Sequence, residues 1–144
     1  MAGAAGRRDR HLSRHRCVCK GFYELGWRGI HVEPVSQYAE RLRQDRPDEL
    51  VIHAAVSNRS GMLKFYQIPD TGLSTGSRDI AEQVRASGRQ VFEKLVPAVT
   101  LDQIFAGANH DEIHWLKIDV EGFERQVLEG WTDASRPVSY THLT

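Results

Sequence analysis

The chain has 144 residues and a mass of 16.3 kDa, with 40% apolar and 26% charged residues, the composition of one small globular domain rather than of a disordered or collagen-like chain. No apolar run approaches the roughly 18 residues of a membrane span, and the arginine-bearing start lacks the apolar core of a secretory signal. Cys17 and Cys19, separated by one residue, are the only cysteines and cannot staple a secreted fold, so the expectation is an intracellular, cytoplasmic protein.

The 19 basic and 19 acidic residues cancel, but unevenly. Residues 1–20 hold Arg7, Arg8, Arg10, Arg14, Arg16 and Lys20 against Asp9, a balance of +5, which leaves −5 on the remainder. Such an arm could contact nucleic acid or another anionic partner, and it is equally the pattern of a solvated terminus. It shows neither helical nor strand periodicity.

From Gly21 the pattern changes. Phe22, Tyr23, Leu25 and Trp27 read as the last turns of a helix that stops near Gly26. Gly29-Ile30-His31-Val32 reads as a short strand closed by Glu33-Pro34. Val35, Tyr38, Ala39 and Leu42 then recur at helical spacing, predicting a helix over 35–45 with one apolar face and with Pro47 just past its end. Leu50 to Val56 is a continuous apolar run, expected to be one strand covered on both faces. Ser57 to Gly61 is turn chemistry, Met62 to Tyr66 another strand, and residues 69–77 a loop rich in Gly, Ser and Thr.

Ile80, Ala81 and Val84 mark a brief helix ended by Gly88, and Val91 to Val99 is strand-like. Thr100 followed by Gln103 predicts a capping box that opens a short helix. Ile113 to Val120 is the second strong strand, running into Asp119-Val120-Glu121-Gly122 and a helix that carries Phe123, Val127 and Trp131. The alternation of strand and helix predicts an α/β fold with a parallel sheet.

Ligands of open α/β sheets sit beyond the carboxyl ends of the strands. Glu33 ends one such strand; Asp119 and Glu121 end another. A carboxylate there can accept both hydroxyls of a ribose, or can complement the dipole of the helix that follows. Both readings are open for all three residues. His11, His15, Cys17 and Cys19 place four soft ligands in nine residues, but paired cysteines one residue apart do not suit structural zinc, and no metal site is expected. His31, His53 and His114 lie in predicted strands and read as packed or hydrogen-bonded. Ser74 and Ser77 lack the context of a hydrolase nucleophile.

Taken in order and spacing, FYELGWRGIHVEPV, AVSNRSGMLKFYQIPDTGLST, VPAVTLDQIF and IHWLKIDVEGFERQVLEGW resemble the FkbM family of S-adenosylmethionine-dependent methyltransferases over residues 21–137. The resemblance implies a Rossmann-like class I methyltransferase fold with strand order 3-2-1-4-5-7-6. It also implies S-adenosylmethionine as cofactor and a sugar or natural-product hydroxyl as methyl acceptor, with no nucleic-acid or membrane partner. Glu33 matches the residue that grips the cofactor ribose. Ala54-Ala55-Val56-Ser57 matches the strand end beside the adenine, placing Val56 and Ser57 in the cofactor site. Asp119-Val120-Glu121-Gly122 matches the motif beside the cofactor methionine and the acceptor, making Asp119 and Glu121 the catalytic candidates.

Two departures stand out. The family's first strand and glycine-rich loop should precede Phe22, where Gly3-Ala4-Ala5-Gly6 is the nearest approach. Residues 1–20 read instead as a GC-rich gene in another frame, and residues 138–144 as a translated adaptor rather than a fifth apolar strand. The expectation is a truncated domain, authentic over 21–137 and inactive alone. The rival readings are a non-catalytic α/β binding module with a basic arm for anionic partners, and a related nucleotide-binding domain that uses another cofactor.

Overall fold

A computed structural model of the chain describes residues 20–108 and 113–133 throughout and residues 138–143 by their backbone. A helical segment, α1, is described over residues 20–24. After it come β1 (Ile30–Val32), α2 (Ser36–Asp45), β2 (Leu50–Ile52), β3 (Ala55–Val56) and β4 (Gly61–Gln67). The chain continues through α3 (Arg78–Ala86), β5 (Phe92–Val99), α4 (Leu101–Gly107), β6 (Ile113–Ile118), α5 (Glu124–Glu129) and β7 (Val138–Leu143). The protein is mixed α/β, as the alternation predicts.

Local chemistry explains the boundaries. Gly26, at φ +90°, reverses the chain after α1, while the Trp27 and Gly26 amides return to the Phe22 and Tyr23 carbonyls, the paired bonds of a glycine-stopped helix. The predicted capping box is present at α4: Thr100 Oγ1 accepts from the Gln103 amide at 3.2 Å, and Gln103 Oε1 accepts from the Thr100 amide at 3.0 Å. The predicted apolar face of α2 is also present. Val35 and Ala39 are buried, and Tyr38 packs with Val35 against Ala55, Phe65 and Val96. A second cluster gathers Leu101, Phe105, Ile118 and Val127 between α4, β6 and α5.

The ladders differ from one continuous sheet. β1 pairs parallel with β2, from Ile30↔Leu50 to Val32↔Ile52. β5 lies between β3, parallel to it, and β4, antiparallel to it. β6 pairs parallel with β7, so the segment set apart in the sequence as a tail supplies a strand. Among the described residues no ladder joins β1 to β6; the stretch expected to lie between them precedes Phe22 and falls largely outside the described residues.

The continuous strand expected over Leu50–Val56 is corrected. It breaks at His53-Ala54 into β2 and β3, which pair with different partners. The cause is the end of β1: Glu33 still donates its amide to the Ile52 carbonyl at 3.0 Å, but Pro34 has no N–H with which to continue. His53 instead sets its ring Nε2 3.1 Å from the Pro34 carbonyl, and the chain turns onto β5.

A buried polar cluster ties β1 to the turn before β2. The Glu49 carboxylate lies 2.7 Å from His31 Nε2 and 3.4 Å from Arg46 Nη1, and accepts from the Gly29 amide at 2.9 Å. Arg46 and Glu49 are 7% and 5% exposed at their side chains, and a charge so far from water must be paired to persist. His31 is therefore hydrogen-bonded, as read from its strand position; His114 packs edge-on against Trp27.

Candidate functional site

Glu33 stands at the carboxyl end of β1, where Pro34 ends the ladder. One carboxylate oxygen, Oε1, accepts from the amide of Val35, the N-cap residue of α2, at 2.8 Å. That bond goes to the N-cap residue's own amide, and α2 has no side-chain capping bond. The Val35 bond is also the carboxylate's only hydrogen bond among the described residues, and no cation among them pairs with it. Burial without a neutralising partner pushes the Glu33 carboxyl up from 4.5 to about 7, the Val35 amide offsetting part of the effect. A half-buried carboxylate with spare acceptor capacity suits neutral donors, such as the two hydroxyls of a ribose.

Val56 and Ser57 occupy the end of β3. The Ser57 amide donates to the Val99 carbonyl at 2.9 Å, and Val56 packs against the second hydrophobic cluster. Ser57 is 4% exposed, with its carbonyl pressed against Gly130, where a Cβ would approach to 2.4 Å. Its neighbour Asn58 donates from Nδ2 to Glu129 Oε2 at 3.1 Å. The end of β3 is thus fastened to the end of α5, and Ser57 is held by packing rather than presented to solvent.

Asp119 and Glu121 share the turn after β6. Lys117 Nζ lies 2.9 Å from Asp119 Oδ2, with side-chain exposures of 17% and 12%. Glu121 has φ +47° and Gly122 φ +82°, so two consecutive residues are left-handed. Glycine meets that need at 122 without strain, whereas glutamate at 121 does so at some cost. The Gly122 amide donates to Glu124 Oε1 at 3.0 Å, and Glu124 opens α5.

Sequence reasoning missed what covers this turn. The loop between β4 and α3 lies directly on it. Thr75 Oγ1 donates to the Glu121 carbonyl at 2.8 Å. A Cβ at Gly76 would meet the Phe123 ring at 3.2 Å, and one at Gly122 would meet Ile80 Cγ1 at 3.1 Å. The run of small and hydroxyl residues in Thr71–Ser77 was visible as loop chemistry, but its partner lies 46 residues away. Asp119 and Glu121 are therefore brought together with Thr75 on one turn, while Glu33 belongs to the β1–β2 ladder and Ser57 to the β3–α5 seam.

The family model for the FkbM methyltransferase domain matches residues 5–141. The chain belongs to the FkbM methyltransferase domain family. No curated protein and no solved structure matches it significantly. The FkbM match takes in all four segments on which the resemblance rests, including the turns that carry Glu33 and Asp119-Val120-Glu121-Gly122. His11, His15, Cys17 and Cys19 lie outside the described residues, as does the basic arm apart from Lys20. Among the described residues no group of three or more His, Cys, Asp or Glu could hold a metal ion. None of the described helices is long and apolar enough to cross a membrane.

Proposed function

We propose that this FkbM domain is an S-adenosylmethionine-dependent methyltransferase acting on a hydroxyl of a sugar, another glycan or a related small molecule. The observation that carries the reading is Glu33: a half-buried carboxylate at a strand end, raised to about 7 by burial, on a family member. Ribose hydroxyls donating to it would supply the hydrogen bonds that burial removed.

When bound, the cofactor supplies an electrophilic methyl on a sulfonium. Glu33 holds its ribose. Val56 and Ser57, fixed by the β3–α5 seam, line the adenine side. Asp119 and Glu121 stand at the methionine and acceptor end. Asp119, paired with Lys117 at 2.9 Å, and Glu121 are the two carboxylates at that end, one of which would take the proton from the acceptor hydroxyl. Transfer is an in-line displacement, so orienting the two reactants contributes much of the rate. Since residues 1–20 carry no G-x-G loop, the chain 1–144 holds the cofactor loosely and turns it over poorly.

The test is equilibrium dialysis of the 144-residue chain against labelled S-adenosylmethionine, with S-adenosylhomocysteine as competitor. The expected result is saturable, competable binding weaker than micromolar, reduced a further 5- to 150-fold, or about 1–3 kcal/mol, by Glu33→Ala. Absence of saturable binding, or equal binding by the variant, overturns the reading.

A further inference from the structure

We infer that Thr75 is a positioning residue whose buried hydroxyl sets the peptide between Glu121 and Gly122, and through it the geometry of the turn that carries both candidate catalytic carboxylates. This rests on the proposed methyltransferase reading for its consequence, but the geometry stands by itself.

Thr75 is fully buried, at 0% exposure, and its hydrogen-bonding groups are in use. Its amide donates to the Tyr66 carbonyl at 3.0 Å, and its carbonyl accepts from the Tyr66 amide at 2.9 Å, which pins the loop to β4. Its hydroxyl accepts from the Ser77 amide at 2.9 Å. A hydroxyl has one proton to donate, and this one goes to the Glu121 carbonyl at 2.8 Å rather than to a local carbonyl.

The acceptor is what makes the bond consequential. The Glu121 carbonyl lies in the peptide plane between two left-handed residues, at φ +47° and +82°. That plane is set by ψ of Glu121 and φ of Gly122 together. The hydroxyl holds its oxygen end, and Glu124 Oε1 holds its N–H end at 3.0 Å. Ile80 packs beside Gly122, and the Phe123 ring beside Gly76, so closely that an added methyl would make either neighbour give by a few tenths of an ångström. A glutamate sits at positive φ only where its surroundings impose it. Thr75 supplies one side of that imposition, anchored in turn by β4.

Without the hydroxyl, the Glu121 carbonyl and the Ser77 amide lose a buried partner, and the plane is released to rotate. The turn that carries Asp119 and Glu121 then keeps only the Glu124 bond to that peptide. The methionine end of the cofactor site is disturbed, while the ribose end, on Glu33 and a different ladder, is not.

The experiment compares the full chain with Thr75→Val and Thr75→Ser, measuring the affinities of S-adenosylmethionine and of adenosine, which occupies only the ribose and adenine half. Valine keeps the branched shape and drops the hydroxyl; serine keeps the hydroxyl. The expected result is an S-adenosylmethionine affinity about tenfold lower in Thr75→Val, the scale of one lost hydrogen bond, with adenosine affinity unchanged and with Thr75→Ser restoring the loss. A merely structural role would weaken both ligands together. Equal loss for both ligands, or no loss, overturns the inference. If Thr75→Val does not fold, Thr75→Cys, a weaker donor of similar volume, must show the same split or the inference fails. A wild-type chain that binds neither ligand overturns the methyltransferase reading instead, and the inference with it.

Discussion

Replacing Glu33 with glutamine should remove a pH dependence from the protein's stability. The Glu33 carboxyl lies at about 7 against 4.5 for an unperturbed glutamate, because burial disfavours the charged form and only the Val35 amide compensates. The folded state therefore binds this proton more tightly than the unfolded state does. The stability it contributes is fully present below about pH 4.5 and is lost as pH rises through about 7. At about 1.4 kcal/mol per tenfold change in proton affinity, the displacement corresponds to at most about 3 kcal/mol, a large share of a domain's usual 5–15 kcal/mol, roughly speaking. Urea unfolding of wild type and Glu33→Gln across this range isolates the effect, since other titrating groups are common to both. The two should be of similar stability at about pH 4.5, because a neutral carboxyl and an amide resemble each other. Glu33→Gln should be the more stable by as much as about 3 kcal/mol near pH 8. A difference that stays flat across the range would refute the argument from burial. Ribose donors favour the charged form, so cofactor affinity should also rise with pH through about 7 in the wild type but not in Glu33→Gln.

Other expectations follow from packing and charge. Gly130→Ala should destabilise the chain by about 1–3 kcal/mol in urea unfolding, because its Cβ would press to 2.4 Å on the Ser57 carbonyl, and it should weaken adenosine binding by shifting the end of β3. Arg46→Ala should cost about 3 kcal/mol or more by the same assay, since Glu49 is left buried with only His31 and the Gly29 amide. Thr100→Ala should cost about 1 kcal/mol, read as a lowered unfolding midpoint, through loss of the capping box.

The parts legible in the sequence are those in which neighbours along the chain decide the structure. The apolar face of α2 follows from Val35, Tyr38, Ala39 and Leu42 recurring at helical spacing. The opening of α4 follows from Thr100 and Gln103, which satisfy each other's backbone groups across one turn. Glu33 and the Asp119-Val120-Glu121-Gly122 turn were legible as strand ends, which is where an α/β fold presents carboxylates.

What was not legible depends on partners distant in sequence. Leu50–Val56 has the composition of one strand, and nothing within it reveals that Pro34 ends the partner ladder and sends Ala55 to β5. The antiparallel pairing of β4 with β5 is likewise a matter of which edge each strand meets. Thr75 reads as one loop residue among several, and its importance comes from a carbonyl 46 residues away. Ser57 and Gly130 each have ordinary local roles, and only their contact makes the β3–α5 seam.

Whether Glu33 grips the ribose of a nucleoside cofactor is read out by saturation-transfer NMR of S-adenosylhomocysteine with the 144-residue chain. Weak binding suffices for this measurement. Strong transfer to the ribose protons is expected in the wild type, with its selective loss in Glu33→Gln and the adenine signals retained. Transfer that is absent in the wild type, or a ribose signal that Glu33→Gln leaves unchanged, would contradict the ribose role of Glu33.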